Sequence, residues 1–171
     1  YEFLAPNFRF NAIQAAVLKP QIKGLDKLIQ RKRERAVILE NIFSEYQSVI
    51  KILKVLPDSY SSYYSFPMFL TSSQNRNILL ENLKEECNLV CAYGYANPKP
   101  LYQCVNALIN PKKYGKSFAY ENRSYELGTS PKAEDLLSRS FLIPFNENYS
   151  LSETEEIGLR VTNAIDNLKL K

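Results

Sequence analysis

With 171 residues, 45% of them hydrophobic and 23% charged, the chain has the size and composition of one globular domain. Its formal charge of +4 is modest and its acidic and basic residues are interspersed, so the composition requires neither a nucleic-acid partner nor an anionic membrane. No apolar stretch approaches the roughly 20 residues of a membrane helix, and no targeting segment is visible, which predicts a soluble, cytoplasmic protein.

Three cysteines and no histidines limit the chemistry that this chain can carry out by itself. An odd number of cysteines without histidine supplies neither a disulfide framework nor a zinc site with four protein ligands, so no metal is expected. The lack of histidine also removes the most common general base and the usual partner of a serine or cysteine nucleophile. Any proton-transfer group is therefore expected outside this chain.

Asn7 and Arg9 stand just before the first predicted helix and after Pro6, where a helix N-terminus can bind an anion. The residues alone leave two interpretations open. In the first, both side chains reach an anionic ligand. In the second, Asn7 caps the helix and Arg9 is solvated, and the local pattern by itself favours this one.

Two helices are predicted next. Apolar residues at helical spacing predict a short helix from Asn11 to Lys19, and Pro20 is expected to break it or to begin the following one. The second helix is long and is expected to end between Tyr46 and Lys51. Its core-facing stripe comprises Ile22, Leu25, Ile29, Ala36, Leu39, Phe43 and Tyr46, with charged residues on the wet face.

A run of cations, Arg31-Lys32-Arg33-Glu34-Arg35, lies on the long helix. Such runs can neutralise the phosphates of a nucleic acid. A glutamate interrupts this run, however, and no aromatic residues interleave with it. A solvated helix face is therefore favoured over a nucleic-acid surface.

The middle of the chain is predicted to alternate strands and helices. Residues 64–70 form an aromatic and apolar strand, in which Pro67 indicates an edge position or a bulge. An amphipathic helix from Asn75 to Glu86 and a strand from Leu89 to Tyr93 follow. The cysteines at positions 87 and 91 are expected to be packing residues.

The loop from Gly94 to Pro100 and the short helix predicted at 101–105 carry Tyr95 and Tyr102. These aromatic groups either line a ligand site or form a packed surface connection, and the residues leave both options open. Residues 109–128 show no period and are predicted to form a long loop.

The last part of the chain is predicted to contain a helix, a strand and a helix. Pro131 marks the first position of the first helix, and residues 141–145 form the strand. Ser152 and Glu155 have the spacing of a capping box, which would begin a terminal amphipathic helix. Strands alternating with helices predict a small α/β or α+β fold, with a short sheet covered by helices on one face.

Several stretches, in a shared order and spacing, resemble one protein family. The first is Asn7-Phe8-Arg9-Phe10 followed by Ile13-Gln14-Ala15-Ala16, and the next runs through Gln21, Leu25-Asp26 and Arg31-Lys32-Arg33. Later pieces are residues 76–83, the 95–102 loop, Ser130-Pro131-Lys132-Ala133-Glu134, and Leu142-Ile143-Pro144 followed by residues 151–155. Together they resemble the C-terminal part of the DegT/DnrJ/StrS family of pyridoxal-phosphate-dependent nucleotide-sugar aminotransferases.

The resemblance implies a fold-type I aminotransferase. Residues 1–50 would be the interdomain helical segment with the cofactor-site motif, and residues 51–171 the small C-terminal domain. The large domain would lie upstream, together with the lysine that forms the Schiff base with the cofactor. This chain alone is therefore expected to hold no catalytic residue and to be inactive.

The same resemblance implies a function for the whole enzyme. Asn7 would reach the cofactor phosphate of the other subunit of a homodimer, with Arg9 in the same anionic pocket. Tyr95 and Tyr102 would contact a nucleotide-sugar substrate. The reaction would transfer an amino group from glutamate to a nucleotide-linked keto-sugar, in cell-surface polysaccharide or sugar-modification biosynthesis. The alternatives are a sugar 3-dehydratase of the same fold and a non-enzymatic helical interaction or nucleic-acid-binding module.

The sequence departs from the family pattern at three places. Ala5 stands where the family usually has glycine, and Pro6 where it often has tyrosine. The 95–102 loop lacks the histidine that relatives often carry there. This last departure leaves open which sugar is used and which carbon is aminated.

Overall fold

The structure is a computed structural model that describes residues 11–93, 100–110 and 125–170. Its elements in chain order are α1 (Ala12–Ile22), α2 (Leu25–Phe43), β1 (Ile50–Ile52), β2 (Phe66–Leu70), α3 (Ser73–Glu85), β3 (Ala92–Tyr93), α4 (Asn106–Ile109), α5 (Pro131–Arg139), β4 (Ser140–Ile143) and α6 (Leu151–Asn167). Single turns of 3₁₀ helix lie at Ser44–Tyr46 and Leu101–Cys104. The predicted mixture of helices and a short sheet is confirmed.

The strands form an antiparallel sheet in the order β1-β2-β4-β3. Strand β2 is central, so the edge position predicted from Pro67 is wrong. The last pair of the β1–β2 ladder is Ile52 opposite Met68, so the ladder does not reach the neighbouring Pro67. Because proline has no N–H to donate, β2 tolerates it at the point where its partner strand stops.

The core lies between the sheet and a layer of helices in which α6 contacts both α2 and α3. Burial alternates along β2, with Phe66, Met68 and Leu70 fully buried and the residues between them half-buried. The helices contribute Ala36, Leu39, Phe43, Leu79, Leu83, Val161, Ala164 and Ile165. Buried residues alternate with half-buried ones along β2 and recur at the helical spacing on α3 and α6, and these buried side chains together form one core.

Helix α2 packs closely against α6 at Gly158. A Cβ atom added at Gly158 would lie 2.7 Å from Ile42 Cδ1 and 3.2 Å from Leu39 Cδ2. We expect Gly158→Val to lower the free energy of unfolding by about 1–3 kcal/mol, because the larger side chain must push apart two packed helices. Urea unfolding measures this change. Glu155→Val, which places the same side chain on the exposed face of α6, is the control; equal losses for both variants would contradict the close packing.

Helix α1 begins differently from the prediction. The Asn11 side chain accepts a hydrogen bond from the Gln14 N–H at 2.9 Å, and the Gln14 side chain accepts one from the Asn11 N–H at 3.0 Å. Asn11 is therefore the capping residue, and the interpretation that Asn7 caps this helix is wrong. Pro20 lies inside α1, two residues before the helix ends at Ile22, so the prediction that it breaks this helix or begins the next one is wrong. The N–H that proline lacks removes one hydrogen bond near the end of the helix without stopping it there.

The predicted stripe of the long helix is confirmed only in its second half. Ala36, Leu39 and Phe43 are buried, whereas Ile22 and Leu25 are 65% and 46% exposed. The α-helix ends at Phe43 and continues as one 3₁₀ turn to Tyr46. Strand β1 follows, in a stretch for which the sequence predicted no strand.

The capping box of α6 lies two residues before the predicted one. Ser150 Oγ accepts from the Glu153 N–H at 3.1 Å, and the Ser150 N–H donates to Glu153 Oε2 at 2.7 Å. Ser152 and Glu155 share the same spacing, but Leu151 is already helical, so the pair at 152 and 155 lies inside the helix. The terminal amphipathic helix itself is confirmed.

Cys87 and Cys91 pack against the core, as predicted. Burial raises the pKa of the Cys91 thiol to about 12, which keeps it protonated at neutral pH. Within residues 11–93, 100–110 and 125–170, no cluster of potential metal ligands is found. Over the same residues, no helix has the length and apolar character needed to cross a membrane.

Candidate functional site

Of the four residues predicted for the site, Tyr102 lies in the described part of the chain. Asn7, Arg9 and Tyr95 lie outside the described residues. Tyr102 is half-buried on the 3₁₀ turn Leu101–Cys104, and this turn follows directly on the predicted loop. Within the described residues, the candidate site therefore consists of Tyr102 and the groups that contact it.

Tyr102 is attached to the start of α5 by the Glu134 carboxylate. The Tyr102 hydroxyl donates to Glu134 Oε1. The Gly128 N–H donates to both oxygens of the same carboxylate at 2.9 Å, and the Ser130 N–H donates to Oε1 at 3.1 Å. Ser130 is the N-cap residue of α5, and its own side chain makes no capping bond. Glu134 thus accepts from the N–H of the N-cap residue and from an N–H two residues before it, in the way that the acid of a capping box accepts from the N-cap backbone.

The charges of this cluster are set by its hydrogen bonds. The Tyr102 hydroxyl, followed by the Gly128 N–H, lowers the pKa of the Glu134 carboxyl. Burial, followed by the bond to Glu134, raises the pKa of the Tyr102 phenol. At neutral pH the carboxylate is therefore ionised and the phenol is neutral, so the phenol is the donor.

Sequence reasoning gave Glu134 no role of its own. It stands only 4 residues from Ser130 but 32 residues from Tyr102 in sequence. One clue to its role was available in the sequence. Glu134 is an acid in the first turn of a helix that begins with proline, and the N-cap side chain of this helix makes no capping bond. The partner tyrosine could not be identified without the fold.

The solvated face predicted for the cationic run on α2 is confirmed at Arg31 and Glu34, which are exposed, and is wrong at the three half-buried cations, which contact other parts of this chain. Arg33 Nε donates to the Ser61 carbonyl at 3.1 Å, and its guanidinium lies 4.9 Å from the centre of the Tyr60 ring. Arg35 Nε donates to the Tyr149 carbonyl at 2.6 Å. Lys32 forms an ion pair with Glu147, with Nζ 3.5 Å from Oε2.

A groove of about 810 Å³ lies between α2, β1 and residues 59–63. One wall is fixed by Tyr63, whose hydroxyl donates to Glu40 Oε1 at 2.8 Å. Burial, followed by the bond to Glu40, raises the pKa of Tyr63 to about 12. Tyr102 does not line this groove, so the groove is separate from the Glu134 cluster.

Helix α1 carries an apolar surface that the described residues leave uncovered. None of its residues is buried. Its exposed large apolar residues are Ile13, Val17, Leu18 and Ile22. Exposed apolar residues repeated along one helix are typical of a surface that packs against another protein segment.

The sequence and the fold match one protein family. The family model described as the DegT/DnrJ/EryC1/StrS aminotransferase family matches residues 1–162. A curated relative from Helicobacter pylori, UDP-4-amino-4,6-dideoxy-N-acetyl-beta-L-altrosamine transaminase, is 24% identical over 169 residues, covering 96% of this chain and 40% of that protein.

Solved structures share the fold. The aminotransferase PseC of Helicobacter pylori, involved in the biosynthesis of pseudoaminic acid, has a TM-score of 0.68 at 22% identity, over 97% of this chain and 40% of that one. The PLP-form of Spr1654 from Streptococcus pneumoniae has a TM-score of 0.70 at 18% identity, over 93% of this chain and 36% of that one. The chain thus spans well under half the length of the proteins that it resembles.

Proposed function

The chain belongs to the DegT/DnrJ/EryC1/StrS aminotransferase family, and from this membership we propose that it is the C-terminal part of a pyridoxal-phosphate-dependent sugar aminotransferase. The whole protein transfers an amino group from glutamate to a keto-sugar carried on a nucleotide. The observation that carries the proposal is the family match over residues 1–162. The named substrate of the Helicobacter pylori relative, a UDP-linked amino sugar, supports the nucleotide.

In this proposal the chain divides at about residue 50. Residues 1–50 link the domains, and residues 51–171 form the small C-terminal domain. The large domain lies upstream and covers the apolar surface of α1, whose residues are all exposed in this chain. The same contact with the large domain would also explain why Ile22 and Leu25, in the first half of the predicted α2 stripe, are exposed in this chain.

The residues proposed for the cofactor phosphate are Asn7 and Arg9, from the partner subunit of a homodimer. Their chemistry fits, because an amide and a guanidinium both donate hydrogen bonds and the cation complements the phosphate charge. Asn11 already caps α1, which leaves Asn7 without that task. When bound, the cofactor supplies an electron sink for the exchange of the amino group. The lysine that holds it belongs to the upstream domain, so this chain alone is inactive.

Substrate contacts are assigned to Tyr95 and Tyr102, and the protein works in the cytoplasm, in cell-surface polysaccharide or sugar-modification biosynthesis. The nucleic-acid alternative has less support, because Arg33 and Arg35 are engaged with carbonyl groups of this chain. A dehydratase of the same fold would carry histidine in place of the upstream lysine. Reading that upstream residue separates the dehydratase from the aminotransferase.

The experiment uses the whole protein, meaning this chain with its upstream domain. It is loaded with pyridoxal phosphate and given 2-oxoglutarate together with the UDP-linked amino sugar named for the Helicobacter pylori relative. We expect glutamate to form, and none to form with the 171-residue chain alone. A folded, cofactor-loaded whole protein that yields no glutamate with this sugar, or with other nucleotide-linked amino sugars supplied in its place, would overturn the proposal.

A further inference from the structure

We propose that Glu134 is a positioning residue, which acts through Tyr102 and holds that side chain in place for the sugar-nucleotide substrate. This inference rests on the proposed function, because it concerns the site that Tyr102 is assigned to there. We do not assign Glu134 a contact with the substrate itself. Its carboxylate holds the turn Leu101–Cys104 against the start of α5 by hydrogen bonds.

The geometry makes Glu134 the link between two distant segments. Its carboxylate accepts from the Tyr102 hydroxyl on one side and from the Gly128 and Ser130 N–H groups on the other. Gly128 has a φ of +96°, a conformation that glycine adopts without strain. In this conformation the Gly128 N–H donates to both oxygens of the Glu134 carboxylate. Both sides of the link therefore depend on one side chain.

The Tyr102 hydroxyl is already engaged within this chain. Its one hydrogen is donated to the Glu134 carboxylate. A phenol has a single hydrogen to donate, so the hydroxyl has none left for a substrate while this bond holds. We therefore assign the substrate contact of Tyr102 to its ring.

A second aromatic residue supports this assignment of the ring. The Tyr125 ring lies 6.4 Å from the Tyr102 ring, centre to centre, with an angle of 44° between the planes. Tilted ring pairs at this separation attract each other. The position of the Tyr102 ring is thus fixed by Glu134 at the hydroxyl and by Tyr125 at the ring.

The test compares Glu134→Gln, Tyr102→Phe and the double variant in the whole protein, with UDP-4-amino-4,6-dideoxy-N-acetyl-beta-L-altrosamine as the probe. Each single variant is expected to raise the KM for the probe about 3- to 10-fold, because Glu134→Gln removes the charge that strengthens the hydrogen bond and Tyr102→Phe removes the bond itself. The kcat should stay within about twofold, because the ring is still present. The double variant should be no worse than Tyr102→Phe alone, because both changes act on the same link.

Asp135→Asn is the matched control, since this neighbouring acid binds Arg139 and not Tyr102. Its KM should equal that of the wild type. An unchanged KM in Glu134→Gln, or penalties that add in the double variant, would overturn the role of Glu134 while leaving the proposed function intact. Should the wild type turn over a different nucleotide-linked amino sugar, that sugar replaces the probe; a wild type that turns over none of them would instead overturn the proposed function.

Folding is checked by thermal unfolding of each variant. Should Glu134→Gln fail to fold, Tyr102→Phe decides alone, because it removes a single oxygen and keeps the Glu134 bonds to the backbone. A raised KM with unchanged kcat in Tyr102→Phe supports the proposal. A lowered kcat with unchanged KM would contradict it, since positioning of the bound substrate would then not depend on the hydroxyl.

Discussion

In the whole protein, the Asn7→Ala variant is expected to bind pyridoxal phosphate about 10 to 100 times more weakly than the wild type. The reason is the loss of a hydrogen bond to a charged group, for which alanine offers no replacement. Titration of the apoenzyme with the cofactor, followed by the absorbance of the bound form, measures the affinity.

Asn11→Ala is the control for this experiment, because it removes an asparagine of the same segment. Asn11 caps α1, so its loss should lower stability by about 1 kcal/mol and leave cofactor affinity unchanged. An Asn7→Ala protein that folds normally and binds the cofactor as well as the wild type would refute the phosphate role of Asn7.

The second large effect is expected in the core. Phe66→Ala should lower the free energy of unfolding by about 3–5 kcal/mol, because it empties a fully buried position in the central strand. The Phe66 ring lies 6.3 Å from the Phe43 ring and 5.8 Å from the Phe145 ring, centre to centre. One cavity would therefore remove packing from both α2 and the segment that follows β4. Urea unfolding of this chain provides the measurement.

Tyr64→Ala, two residues earlier, serves as the comparison. Its side chain is 88% exposed and contacts Lys32 through the ring at 5.8 Å. An exposed contact of this kind contributes about 0.5–1 kcal/mol. Similar losses for Tyr64→Ala and Phe66→Ala would contradict the assignment of Phe66 to the core.

The helices α3 and α6 were predictable because their apolar residues repeat at the helical period over several turns. Strand β1 was missed because three residues, Ile50 to Ile52, are too short to show a period. Pro67 was misjudged because an inner strand has two neighbours that need not be equally long: Pro67 still pairs with Leu142 of β4, whereas the β1 ladder ends at Met68 and does not reach it. Where a neighbouring strand stops is a property of the fold that no local pattern contains.

The candidate site shows the same limit. Tyr102 could be singled out because it follows a loop that resembles a family motif. Glu134 could not be joined to it, because the bond spans 32 residues and depends on how α5 lies against the turn at 101–104. The cations of α2 were misjudged for a similar reason, since their carbonyl partners lie 28 and 114 residues away.

We propose that the whole protein places nitrogen on a nucleotide-linked sugar. The most direct measurement supplies glutamate labelled with heavy nitrogen and a UDP-linked 4-keto sugar to the cofactor-loaded protein, and analyses the sugar by mass spectrometry. We expect a UDP-linked amino sugar that carries the label. A sugar without the label, whether unchanged or missing a hydroxyl group as a dehydratase would leave it, would contradict an aminotransferase function.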